Sequence, residues 1–546
     1  MARIKKKSNE YSQAGFFMMA AGGMLLLYIY LLICLYPFLI KPGYEVTSYV
    51  KYDFLTAVSY GISAGPFRIP TLIPLSLICI IAGTGLNIKR QGKGIKDFIR
   101  NLRFSSTDIF VALYALFVII SSIVSPYRDD LILGIPQSYM GLASQFILIF
   151  IYYMTSRLLD PEELKGIVYA SFVSSALVFL IGILQRFGYD IFNLYDGLEN
   201  KLFISTIGQH TFFSQYMILF ITLSIFMVWI SEPGSVMRKV SIFHLVIASC
   251  LPCILNADMI FSGMFFALSF LFVLSFESIE RMKAFFEISL IILLTFGIMG
   301  IVWYFAKPEF RLEPLPKFIM LSPCIWMAVT FFLLIYVFLR RRSGGRAGFD
   351  ISKYRYIGYI YVGLLGLAVV SLTVYIILNT GKVLPENLQS RAEYLLFDPF
   401  WGNGRGAIWH DTVMSFFGEL KKSPVTAVFG AGPDQYVHVV DEYVHDWIVI
   451  YSDKVALYAH NEWLNAFINY GLFGGIAYLG IFISALIRFV KNREGTPAAL
   501  GAACLVVAYL AHQFFGYQQY ISTPYIFLIL GIGEKAVREK IKQGGS

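Results

Sequence analysis

Charge is what this sequence has little of. Asp, Glu, Lys and Arg make up 14% of its 546 residues, against about 25% in a soluble domain. That excludes an ordinary water-soluble globule. No DxD or HExxH pattern marks a metal site, and there is no short-period repeat and no low-complexity tract longer than the tails. The apolar segments lack the period-two alternation of membrane strands, which excludes a barrel. The six cysteines sit in or beside apolar stretches, where thiols are usually buried and inert. Cys250 and Cys253 form CLPC, yet no alternating strand-helix domain surrounds them as in a dithiol oxidoreductase. A disulfide at the outer end of their hairpin stays open.

What is abundant is hydrocarbon. Hydrophobic residues reach 57% and mean hydropathy is +0.66. The apolar runs are about 17–25 residues long, enough to cross a hydrocarbon core of roughly 30 Å as helix, and helix is the economical way to satisfy the backbone in lipid. The expected fold is therefore all-α, a polytopic bundle with the lipid bilayer as its partner. Spans are expected near 14–40, 70–86, 107–124, 139–156, 166–185, 211–230, 241–255, 259–276, 284–305, 318–339, 356–378, 462–489, 498–514 and 521–532. The first run exceeds a signal-peptide core of about 7–15 residues and has no obvious cleavage site, so it is taken as a helix. Residues between it and the second run, including Lys41, Lys51 and Arg68, are read as loop.

The formal net charge of +9 comes mostly from short cationic clusters beside the spans, which report topology and argue against nucleic acid. ARIKKK at the start, KRQGKGIKDFIRNLR, RRRSGGR and the tail EKAVREKIKQ lie inside by the positive-inside rule. About fourteen helices with both termini cytoplasmic satisfy it. The chain then divides into an N-terminal bundle of about eleven helices (1–378), a large extracytoplasmic loop with short helices (379–460) and about three C-terminal helices with a cytoplasmic tail (461–546).

That loop concentrates the polar chemistry. It holds His410, His438, His445 and His460, four of the seven histidines. Arg405 to Leu420 can be written as an amphipathic helix with Ile408, Trp409, Val413, Phe416 and Phe417 on one side, lying over the bundle or in the membrane interface. Pro424 stops it, and Gly430 and Gly432 let backbone pass close to a ligand or to another helix. Trp409 and Trp463 suit an aromatic belt.

GRGAIW at 404–409, SPVTAVFGAG at 423–432 and AHNEWLNAFINYGLFGG at 459–475 resemble the signature of the O-antigen ligase and O-antigen polymerase superfamily. The resemblance is specific over Gly404 to Gly475 and otherwise only hydropathic. It implies a membrane glycosyltransferase that moves a glycan from an undecaprenyl (polyprenyl) diphosphate carrier onto an acceptor hydroxyl at the extracytoplasmic face of the cytoplasmic membrane. It also implies inverting, metal-independent chemistry without a cofactor, the acceptor being a glycan, lipid or protein. The family's functional pair carries over to Arg405 and His460. Two departures stand out. Many members carry a Ser-Arg pair where this chain has Asn256, Asp258 and Ser262, and the family's acidic residue in the closing helix is here Asn469.

Those residue types suit the reaction. A diphosphate leaving group needs its developing charge stabilised, and a guanidinium offers paired donors and never loses its own charge. The acceptor hydroxyl must lose a proton, which a His of ordinary pKa near 6.5 can take. Arg405 and His460 are accordingly the expected catalytic residues. The expected substrate-binding residues are Arg186, a second cation for the diphosphate at the outer end of its helix, Tyr458 and Asn461 for the imidazole or a sugar hydroxyl, His210 for sugar, and Gly430 and Gly432. Arg311, Lys317 and Arg391 are weaker cation candidates. The alternatives are a polymerase of the same superfamily, in which the acceptor is another carrier-linked repeat, and, from another class, a lipid-linked oligosaccharide flippase or exporter. A flippase is expected to carry charges at membrane depth and related halves, whereas the ionisable residues here gather at one face.

Overall fold

The computed structural model describes residues 2–40, 46–60, 72–91, 104–136, 138–192, 203–308, 311–343, 350–443, 447, 450 and 456–544. In chain order its helices are α1 (Ala2–Tyr30), α2 (Val46–Tyr60), α3 (Leu72–Gln91), α4 (Ser106–Val124), α5 (Leu142–Leu158), α6 (Leu164–Arg186), α7 (His210–Ile230), α8 (Val236–Cys250), α9 (Met259–Ser275) and α10 (Ile279–Ala306). They continue as α11 (Pro314–Leu321), α12 (Cys324–Ser343), α13 (Arg355–Thr380), α14 (Trp401–Lys422), α15 (Pro424–Phe429), α16 (Tyr436–Glu442), α17 (Glu462–Lys491), α18 (Pro497–Gln513) and α19 (Thr523–Gly544). Among the described residues the only sheet is a two-stranded hairpin, β1 (Phe203–Ile204) and β2 (Gly208–Gln209), which leads into α7.

The fold is helical, as expected. Eight helices among the described residues are long and apolar enough to cross a bilayer, and four shorter apolar helices accompany them. Burial runs from 83% of the apolar window of α7 to none of that of α13. α7 is therefore the axis of the bundle, with α8, α9 and α18 against it, and α13 is a peripheral helix.

One expectation fails in the N-terminal part. Residues 46–60, expected as part of a loop with Lys41, Lys51 and Arg68, form α2, in which everything from Lys51 to Ser59 is buried. Lys51 Nζ donates to the carbonyls of Leu39 (2.5 Å) and Thr206 (2.7 Å), so its charge meets oxygen ligands inside protein. Ser59 Oγ is 3.1 Å from the hydroxyl of Tyr28, in the body of α1. From the level of Leu39 to that of Tyr28, α2 descends into the bundle. Its polar residues face protein, a pattern that a hydropathy average cannot register.

At the opposite end from Leu39, buried Asp108 completes the capping box of α4, accepts the Tyr152 hydroxyl (2.9 Å) and pairs with Arg157 (3.1 Å) and Arg538. Buried Glu534 takes Arg488 (2.8 Å) and Arg538 (2.9 Å). These pairs tie α4, α5, α17 and α19 together. All six cysteines are free thiols, so Cys250 and Cys253 form no disulfide.

Candidate functional site

α14 begins with a left-handed turn at Gly402 (φ 59°), Asn403 (φ 60°) and Gly404 (φ 85°). Glycine and asparagine tolerate this backbone. The turn brings the carbonyl of Gly402 round to accept from Arg405 Nη1 at 2.8 Å, while Arg405 Nη2 donates to the Phe515 carbonyl at 3.4 Å. The guanidinium also lies 5.8 Å from the centre of the Phe515 ring, within cation–π range. Arg405 is thus held from two sides by backbone oxygens.

The expected apolar stripe of α14 divides between the protein and the outside, with Trp409 and Phe416 half-buried. Val413 and Phe417 are exposed, whereas Ile408, Asp411, Thr412, Ser415 and Glu419 are buried. The polar face is spent on the protein: Thr412 Oγ1 is 2.7 Å from the Tyr436 hydroxyl, and Glu419 accepts from the Tyr443 hydroxyl at 3.0 Å. Ile408, Trp409 and Phe416 pack on the protein and Val413 and Phe417 face away from it.

His460 stands just before α17 with a left-handed backbone (φ 47°), an uncommon conformation for a non-glycine residue that marks functional sites. Its ring meets Tyr517 edge to face at 5.1 Å, and Tyr458 stacks on the other part of that aromatic group at 4.0 Å from Tyr517. Neither imidazole nitrogen is hydrogen-bonded within the described residues. Burial, then the positive field of Arg405, then that of His210, push the His460 pKa down to about 3. Arg405, His460 and His210 therefore share one site, and the imidazole is neutral.

The segment between α18 and α19 carries both residues, through Phe515 under Arg405 and Tyr517 against His460. A buried polar chain fixes that segment. Glu462, 1% exposed, accepts from the hydroxyls of Tyr509 (2.9 Å) and Tyr478 and from Gln513 Nε2 (2.5 Å). Gln513 Nε2 also donates to the Tyr517 carbonyl at 3.3 Å, which leaves its Oε1 to accept from His512 Nδ1 at 3.2 Å. The other nitrogen of His512 faces the Ser214 hydroxyl at 3.0 Å. Glu462→Gln would set an amide against three donors, at a cost of about 1–3 kcal/mol. A lower melting temperature together with weakened activity is the expected result, measured by thermal unfolding of the purified variant beside wild type.

The other expected binding residues divide. Arg186 Nη2 donates to the Leu255 carbonyl at 3.4 Å, which places it on the hairpin that ends at Asp258. Asn461 is the N-cap of α17, its Oδ1 accepting from the amides of Trp463 and Leu464, both at 3.1 Å; that oxygen is spent on the helix, not on an imidazole. Tyr458 is buried and supports the ring group. Gly430 and Gly432 serve the approach of another helix. α17 breaks at Gly471 (φ 70°, ψ −176°), and the carbonyls freed there, Ile468 and Asn469, accept from Ala431 N (3.1 Å) and Gly432 N (2.9 Å). The amide of Gly430 is bonded to the Thr426 carbonyl (2.7 Å), so these amides are engaged within the protein. Nearby Asp434 ties in the loop before α5, accepting from Ser138 Oγ (2.5 Å), Ile135 N (2.8 Å) and Met140 N (3.1 Å).

Two carboxylates were not among the expected site residues. Burial raises the pKa of Asp258 and the field of Arg405 lowers it; Glu313 is raised by burial and by Asp258 and lowered by Arg405. Asn256 joins their segments, donating to the Arg311 carbonyl (2.7 Å) and accepting from Glu313 N (3.1 Å). The hairpin around Asn256 thus carries an acid that feels the field of Arg405. Its signal in sequence was that Asn256, Asp258 and Ser262 depart from the signature the chain resembles. His410 stacks on Trp447 at 4.3 Å, His438 stacks on Tyr127 at 5.3 Å, and His445 lies outside the described residues. Among the described residues no group of three or more His, Cys, Asp and Glu could hold a metal ion.

No protein-family model matches the chain, and no curated protein matches it. Fold and site together define a class, a helical membrane protein by the length and composition of its apolar helices.

Proposed function

We propose that this protein is a glycosyltransferase of the O-antigen ligase type, which transfers a glycan from a polyprenyl diphosphate carrier to an acceptor hydroxyl. In this reading the chain crosses the cytoplasmic membrane about fourteen times, both termini are cytoplasmic and the site opens on the extracytoplasmic face. Arg405 takes the diphosphate as it departs, and His460 takes the acceptor proton as the hydroxyl attacks the anomeric carbon from the opposite side. The observation that supports the proposal is the approach of a held guanidinium and a neutral imidazole to one aromatic segment, Phe515 to Tyr517, the imidazole making no hydrogen bond among the described residues. One is suited to anionic charge and the other to a proton.

The pKa of His460 also follows the donor. Arg405 and His210 disfavour imidazolium while the site is empty of anions; a bound diphosphate opposes their field and raises the basicity of His460 where the proton must go. Asp258 and Glu313 feel the same Arg405 field, and burial raises the pKa of both carboxyls.

The test is transfer in proteoliposomes containing a carrier lipid with radiolabelled glycan and an acceptor. Cleavage of the sugar–phosphate bond with label on the acceptor supports the proposal. Movement of intact carrier between leaflets without cleavage would instead make the protein a flippase. Ligase and polymerase share this chemistry and differ in product: cells carrying an inactive ligase accumulate unattached long chains, whereas cells carrying an inactive polymerase keep single units.

A further inference from the structure

The end of the bundle opposite Arg405 holds a cavity of about 720 Å³ between α9, α13 and the corner from α17 to α18. α9 sets the separation. Asp258, before its first residue, feels Arg405, whereas Glu277, just beyond its last, lines the cavity; its 17 residues rise about 25 Å at roughly 1.5 Å each.

The walls are hydrocarbon, with Phe266 and Phe270 on one side, Val362 and Leu365 on another and Val490 and Val507 behind. The floor carries both signs of charge: Glu277, Arg355, Arg493 and Glu494. Arg493 is already paired with Glu277 at 3.1 Å. The side chains of Arg355 and Glu494 make no ion pair among the described residues, and both are exposed. Lys540 Nζ donates to the backbone oxygen of Glu494 at 2.7 Å and adds a cation at the rim. α13 touches α9 where Gly358 approaches Phe276 and where the Tyr361 hydroxyl meets Ser269 Oγ at 2.7 Å. Among the described residues nothing in its most apolar window is buried.

Apolar walls above a floor with one unpaired cation and one unpaired carboxylate describe the complement of a zwitterionic amphiphile. We propose that this cavity binds one aminophospholipid of the adjacent leaflet. Its chains lie against the walls, its phosphate on Arg355 and its primary ammonium on Glu494. The volume lies within the roughly 300–1,000 Å³ of small-molecule sites. A purely anionic headgroup would meet two carboxylates; a purely apolar guest would leave Arg355 and Glu494 unanswered. A primary ammonium donates charge-assisted hydrogen bonds to a carboxylate, and a trimethylammonium cannot. The site does not depend on the transferase reading.

The experiment is native mass spectrometry of the full chain released from nanodiscs that contain phosphatidylethanolamine, phosphatidylcholine or phosphatidylglycerol. One phosphatidylethanolamine per chain is expected to survive release, with phosphatidylcholine retained about tenfold less. Arg355→Ala and Glu494→Gln are each expected to reduce retention about tenfold at an unchanged melting temperature, because both side chains are exposed. Val362→Trp, which keeps the charges and fills the cavity, is expected to abolish it. Equal retention of phosphatidylglycerol, or phosphatidylethanolamine retention that survives both charge substitutions, would overturn the proposal.

Discussion

His460→Ala is expected to slow glycan transfer by about 10²–10⁴-fold, the range for loss of a positioned proton acceptor, while the carrier still binds through Arg405. Arg405→Ala is expected to cost about 10²–10³-fold, as for loss of a preorganised donor to developing charge. Arg405→Lys should restore little of it. An ammonium cannot bond the Gly402 and Phe515 carbonyls at once, lie over the Phe515 ring and still present a planar fork to a diphosphate. Initial rates against carrier concentration check both, with the loss in kcat for His460→Ala and in kcat/KM for Arg405→Ala. Activity that survives either alanine substitution would remove that residue from the mechanism.

The pH dependence follows from the direction of the His460 shift. An acidic limb at the ordinary imidazole value near 6.5 is what the sequence leads one to expect, but the folded environment pushes the group down to about 3. The neutral, proton-accepting form then persists far into acid. In the free enzyme, reported by kcat/KM, the acidic limb should lie well below pH 6.5. In the carrier complex, reported by kcat, the diphosphate draws it back up. The separation of the two limbs is the signature, and any acidic limb that His460 causes should vanish in His460→Ala. Stability has the same sign. A folded-state pKa below the unfolded one means that neutral His460 favours the fold fully above pH 6.5, an advantage lost progressively as pH falls toward 3.

Gly471→Ala is expected to leave little folded protein. The position combines φ 70° with ψ −176°, a region open essentially to glycine alone, and an added Cβ would overlap Gly430 N and come within 2.5 Å of Val428 C. Neither neighbour is a side chain that can swing away. Gly430 (φ 97°) has the reciprocal problem, since its Cβ would lie 2.5 Å from Tyr470 Cα. A substitution here would cost about 1–3 kcal/mol in backbone conformation alone. It would also pull the Ala431 and Gly432 amides from the carbonyls of Ile468 and Asn469, at about 0.5–1.5 kcal/mol for each hydrogen bond. Fluorescence-detected size-exclusion of the expressed variant checks this, with a Gly366→Ala variant beside it: Gly366 has no positive φ, and its added methyl would meet nothing within 4 Å. A monodisperse Gly471→Ala protein at wild-type yield would show that the break in α17 is dispensable.

Much of this molecule is legible in one dimension because lipid imposes a one-dimensional rule. A run of apolar residues long enough to cross hydrocarbon has to become helix, since nothing else there satisfies its amides and carbonyls. Hence composition and run length alone determined the helical membrane class. The same rule hid α2: Lys51, Asp53 and Ser59 break its apolar pattern, yet all three face protein. Motif spacing brought Arg405, His460, Gly430 and Gly471 into view together, but not their division into chemistry and scaffold. That division rests on where each hydrogen bond goes. Asp258, Glu313 and Glu462 are ordinary acids in the sequence, and the Phe515 and Tyr517 segment is an ordinary aromatic turn. They become parts of one site because chain segments hundreds of residues apart close on one another, and a buried group's charge and protonation depend on which neighbours arrive.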